Sequence, residues 1–189
     1  MRCAALLFCL AVAAGAAEDA GPLAVTRTVL GRSNEIVRDA AIDRKAKLDG
    51  LRTLLGGYLD TDALATLAAK KHLDGRSAEE VQEFQRLFRE FFVRTYVQRL
   101  LLFDAPEFAY RAETVTGDEA RVATEVVTPN DRFAVDYTLR RTPAGWRATD
   151  ISVEGVSLAQ NFRAQFDAAV AKDSFRGLLD RLRAKVDAS

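Results

Sequence analysis

Cysteine is confined to positions 3 and 9 of this 189-residue chain, and histidine occurs once, at His72. Beyond the first nine residues there is thus no thiol nucleophile and no thiolate metal site. One imidazole cannot supply a two-histidine zinc site, and no second metal-ligand cluster stands out, so no cofactor is expected. Excess charge is missing too. The 27 basic residues face 27 acidic ones, and no basic surplus points to nucleic acid or an anionic membrane surface. The apolar run from Cys3 to Ala14 is too short to span a bilayer as a mature anchor.

That run has the parts of a secretory signal: Arg2, the apolar stretch, then the small residues Ala14-Gly15-Ala16-Ala17 before Glu18-Asp19. A core helix here would need a polar face, which is absent. Residues 1–17 are read as a signal peptide and 18–189 as one domain, long enough for a single core. Cleavage would remove Arg2 and both cysteines, leaving one acidic residue in excess. The exported domain must then hold together by burial without a disulfide. In a bacterium its compartment would be the periplasm.

The stretch Thr149 to Phe166 shows how the rest is organised. Ile151 and Val153 alternate as in a strand, Gly155 turns the chain, and Leu158, Phe162 and Phe166 take helical spacing. Ser157 and Gln160 fit a capping box. Upstream, helical stripes run from Pro22 to about Asp39 and from Ile42 to Leu55, the latter stopped by Gly56-Gly57. A short helix follows, capped by Asp60 or Thr61. After the turn Asp74-Gly75-Arg76, Ser77 and Glu80 form a second capping box and open the longest helix, Ala78 to Phe103. Its second half is apolar nearly all round. Two roles fit: a central core helix, or a helix that also lines an apolar cavity.

Between Pro106 and Val153 the period becomes two, with turns at Gly117-Asp118, Pro129-Asn130-Asp131 and Pro143-Ala144-Gly145. These signals predict a four-stranded antiparallel meander, apolar on one face and bearing Arg121, Glu125, Asp136 and Arg140 on the other. The C-terminus reads as two helices, one reaching about Ala171, the next opening after Asp173-Ser174. The fold class is α+β, with N-terminal helices, one long helix and C-terminal helices packed on the sheet.

Catalytic candidates are few. Gly155-Val156-Ser157-Leu158-Ala159 is close to a nucleophile elbow but lacks its last glycine, and the cap already accounts for Ser157. His72, beside Lys70, Lys71 and Asp74, reads as an exposed surface histidine. Asp136 and Asp150 are conceivable general bases, but alternation puts Asp136 on the polar face. The chain is not expected to be an enzyme.

The stretch Trp146, Asp150-Ile151, Val153-Glu154-Gly155-Val156-Ser157-Leu158, Asn161-Phe162-Arg163 and Gln165-Phe166 resembles the signature of the MlaC (toluene-tolerance) family. The order of signal peptide, helices, long helix and meander agrees with it. The family's glycine-aromatic pair after the third helix is replaced here by Ala69-Lys70-Lys71-His72. The resemblance implies an NTF2-like cone and a soluble periplasmic phospholipid carrier. Its implied partners are an inner-membrane ABC transporter complex and an outer-membrane lipoprotein complex, in the maintenance of outer-membrane lipid asymmetry.

A cavity for acyl chains would be lined from the long helix by Phe88, Phe92, Tyr96, Leu100 and Phe103. From the sheet it would take Val126, Phe133, Val135, Tyr137, Trp146, Ile151 and Val153. Ordinary core packing competes for the same residues. Arg163 is expected to pair with Asp150 or Glu154, or to approach a lipid phosphate. The rival readings are a carrier of another apolar lipid such as a hopanoid, and an NTF2-like cavity enzyme.

Overall fold

The computed structural model describes residues 20–102 and 105–187; the expected signal peptide and Phe103 lie outside them. Among the described residues, N-terminal helices, a long helix, an antiparallel sheet and a C-terminal helical segment follow in the predicted order. Helix α1 (Pro22–Arg38) opens on a proline, whose fixed φ suits a first helical position. Helix α2 (Arg44–Tyr58) is capped by Asp43, which accepts the Ala46 N–H, and α3 (Thr61–Leu73) by Asp60, which accepts that of Ala63. Ser77 and Glu80 form the full reciprocal capping box at the start of α4 (Ala78–Leu100).

Two helix ends differ from the sequence expectation. Gly56-Gly57 does not stop α2, which runs on to Tyr58. Each glycine costs about 1 kcal/mol against alanine in a helix. Burial of Tyr58 and Leu59 outweighs that cost, and Arg147 adds hydrogen bonds to the carbonyls of Gly56 and Leu59. At the other end, α4 finishes at Leu100, where Leu102 N–H closes a turn on Arg99.

The sheet is an antiparallel meander of β1 (Glu107–Thr116), β2 (Glu119–Val127), β3 (Arg132–Thr142), β4 (Gly145–Val153) and the two-residue β5 (Val156–Ser157). The fifth strand was not expected. It arises because Glu154 and Gly155 both take positive φ, a tight reversal that lays Val156 back against Val153. Helix α5 (Leu158–Asp187) breaks at Ser174, where the sequence places the start of the last helix. Helices α1, α2, α3 and α5 approach the sheet, while α4 packs chiefly on α3, α5 and α2.

Candidate functional site

The inward face of the sheet is built by register. Val126 lies opposite Phe133, Val122 opposite Tyr137, and Ala120 opposite Leu139. On the far side of β3, Tyr137 meets Ile151, Val135 meets Val153 and Leu139 meets Ala148. Trp146 and Ala148 differ in parity from Ile151 and Val153, so a regular strand would send the pairs to opposite faces. An irregularity at Thr149 resets the count and puts both pairs on one face. The outer face carries ion pairs from Arg121 to Asp136 and from Arg111 and Arg132 to Glu125, as the alternation predicts.

Across from the sheet, Phe84, Phe88 and Phe92 of α4 are fully buried. Their rings pack against α5, Phe88 at 5.1 Å and Phe92 at 6.0 Å from Phe162, while within α4 Phe92 stacks on Tyr96 at 4.3 Å. Tyr58 of α2 meets Tyr137 edge-on at 6.0 Å. Of the expected lining, Phe88, Phe92, Val126, Val135, Tyr137 and Trp146 are buried in one contiguous apolar cluster, with Tyr96, Phe133 and Ile151 half-buried against it. Leu100 is half-buried and Val153 is 37% exposed; neither joins the cluster.

Tyr58, Phe162 and Phe166 share this cluster and were not among the expected lining. Phe162 and Phe166 stand four apart, as do Phe84, Phe88 and Phe92, and that common spacing was the available signal. Tyr58 carried no such signal, because it lies behind the glycine pair.

Among the described residues, the buried polar side chains are all hydroxyls. Tyr58 Oη lies 2.8 Å from Thr26 Oγ1, which donates to the Pro22 carbonyl, so the tyrosine is the donor in that chain. Burial pushes the Tyr58 and Tyr137 phenols well above the usual tyrosine range. The interior therefore stays uncharged. The apolar surface reaches solvent where β1 begins and β4 ends: Phe108, Val126 and Phe133 form one row, and Val153, opposite Val135, pairs with Val156 at 58% exposure.

The polar candidates turn out to be structural. Asp150 accepts the Ala159 N–H and the Ser157 hydroxyl, and Ser157 Oγ accepts the Gln160 N–H, so both cap α5. Arg163 pairs with neither Asp150 nor Glu154; it donates to the Leu67 carbonyl at 2.8 Å and ties α5 to α3. His72 is not an exposed histidine. Its side chain is largely covered, and Nε2 lies 2.7 Å from Asp167, which also pairs with Lys71. The contacts of Arg163, His72 and Lys71 together hold the α5–α3 seam.

The family model described as MlaC protein matches residues 25–184. The toluene tolerance protein ttg2D of Pseudomonas putida is 24% identical over 155 residues, covering 77% of this chain and 72% of its own. A solved structure, the phospholipid-binding protein from Ralstonia solanacearum in complex with a phospholipid, superposes with a TM-score of 0.76. It is 21% identical, over 89% of this chain and 98% of that one, a likeness of fold.

Proposed function

Because this chain belongs to the MlaC family, we propose that it is a periplasmic carrier that takes phospholipid acyl chains into the interior between the sheet and the helices. The observation that carries the reading is that interior itself, aliphatic and aromatic, with hydroxyls as its buried polar side chains. The phospholipid held by the structurally similar Ralstonia solanacearum protein supports it.

Acyl chains gain about 0.8 kcal/mol per methylene on leaving water, so a lipid cannot cross the aqueous gap between membranes unaided. An interior of Phe, Val and Leu resembles the bilayer core, and transfer between the two is then near balance and reversible. Such a site needs no acid, base or metal. The polar ties of α4 run to α3, through Arg89 to Asp62, and to α5, through Arg183 to Glu83. Its aromatic face is held by apolar contact, which acyl chains can replace in kind. The charged head group stays at the open end beside Val153 and Val156.

In this reading residues 1–17 direct export and are removed. The carrier exchanges lipid with an inner-membrane ABC transporter complex and an outer-membrane lipoprotein complex, which maintains outer-membrane lipid asymmetry. N-terminal sequencing of the exported chain tests the cleavage. Mass spectrometry of lipid extracted from the purified protein tests the cargo: phospholipid in near-stoichiometric amount is expected, and hopanoid ions without phospholipid overturn it.

A further inference from the structure

The break at Ser174 folds the last part of α5 back beside its first part. Small side chains at Ala168 and Ala169 leave a half-open cleft of about 380 Å³ in the crook, next to Phe91 of α4. Its floor is apolar, formed by Phe91, Phe162, Phe166, Leu178 and Leu182, while its rim carries Lys172, Arg181 and Lys185. Among the described residues no carboxylate lines it, and Asp173 reaches its rim only through Arg181. Arg181 is held on the rim by Asp173, and Lys185 by the Phe91 ring at 5.0 Å, so the cations are set over the floor. A volume at the low end for ligand sites has room for one hydrocarbon chain.

We propose that this cleft binds a single-chain anionic amphiphile, a long-chain carboxylate or a single-chain phospholipid, with its tail on the aromatic floor and its head against Lys172, Arg181 and Lys185. A neutral head would forgo the attraction of the rim cations, of which Arg181 is already met by Asp173, and a short anion would forgo the floor. The cleft is lined by residues of α4 and α5 alone; its floor shares Phe162 and Phe166 with the cluster that reaches the sheet, so the two sites are told apart by which residues respond on titration. A second cleft of about 530 Å³ between α3 and the sheet mixes Asp60, Asp62 and Glu119 with Arg140 and offers no such match.

The test is a titration of the ¹⁵N-labelled full chain with dodecanoate and with monododecyl phosphate below their micelle concentrations, against dodecyl maltoside. Saturable shifts at Ala168, Lys172 and Leu182 are expected, weakening as salt screens the rim, and the tighter of the two anions names the head group. Lys172→Glu with Lys185→Glu should weaken binding at least about tenfold, a loss of about 1.4 kcal/mol, while Lys172→Arg with Lys185→Arg keeps it. Lys172→Glu alone, at an exposed position, should act in the same direction. Equal binding of dodecyl maltoside, or charge reversal without effect, overturns the site. Shifts confined to Val135 and Ile151 end it too, and leave the carrier reading standing.

Discussion

Ser174 holds φ at 71° and ψ at 174° within α5, a conformation that costs a non-glycine residue about 1–3 kcal/mol. Ser174→Gly should therefore raise the urea midpoint even though glycine loosens the unfolded chain. Gly177, one turn on, predicts the opposite of the usual rule. An added Cβ would stand 2.5 Å from Asp173 Cβ, so Gly177→Ala should lower the midpoint where an ordinary helix would gain about 1 kcal/mol. The break was legible, since Asp173-Ser174 reads as a cap between two apolar stripes. The His72–Asp167 pair was not, because the partners are 95 positions apart and each looks like a solvated surface residue. Hydrogen bonds from Lys71, then His72, hold the Asp167 carboxyl below the usual aspartate range. A depressed carboxylate stabilises the fold above its unfolded pKa and loses that effect as pH falls through the folded one. Asp167→Asn should thus be less stable than wild type at neutral pH. Urea midpoints should begin to converge as pH drops below the ordinary aspartate value of about 3.9 and meet only below the depressed folded value; a gap that persists there contradicts the assignment.

Among the elements, strands and their turns were more legible than the helix ends. Period-two patterning and turns such as Gly117-Asp118 fix the meander locally, and the pairing follows them residue by residue. Neither a glycine pair nor a bulge announces its outcome in the same way. Helix α2 crosses Gly56-Gly57 because Tyr58 and Leu59 gain a buried position against the sheet, a tertiary term absent from any local pattern. The irregularity at Thr149 likewise shows only as a mismatch of parity, with Trp146 and Ala148 on even positions and Ile151 and Val153 on odd ones. Deleting Thr149 removes the mismatch, because Trp146, Ala148, Ile151 and Val153 then fall on alternate positions of a regular strand. Both pairs keep the inner face, the β3–β4 ladder runs on without a skipped residue, and Asp150 stays opposite Thr138 at the cap of α5. The chain has one tryptophan, buried at 5% exposure, so its fluorescence reads the result. Deletion should leave the emission in place and keep a cooperative melt, as Thr149→Ala should; a red-shift on deletion would contradict the bulge.

For the whole molecule, what the pattern could not divide is core from wall, since both call for the same apolar side chains. Phe88, Phe92, Val135 and Tyr137 lie in one cluster with unmistakable core residues such as Phe84 and Leu179, and burial alone does not sort them. Energetics can. Phe92 is buried between Phe88, Tyr96 and Phe162, and Phe→Ala at such a site costs about 3–5 kcal/mol, much of it from the void left behind. If acyl chains enter the interior beside α4, they occupy that void, and the cost in lipid-loaded protein falls below the cost in delipidated protein. A ligand bound by the folded state alone also raises the midpoint of every variant, so the informative quantity is the double difference between wild type and Phe92→Ala, loaded and empty. Phe175→Ala supplies the reference. That ring packs on Phe84 and beneath Arg76, towards the last part of α5, and its loss should cost the same in both states. Chemical-denaturation curves of the three proteins, each delipidated and then reloaded from phospholipid vesicles, give the comparison. A Phe92 penalty that shrinks on loading while the Phe175 penalty holds makes the aromatic face of α4 a wall of the lipid site. Equal penalties in both states would make it core, and would move the acyl chains away from α4 to the face of the sheet.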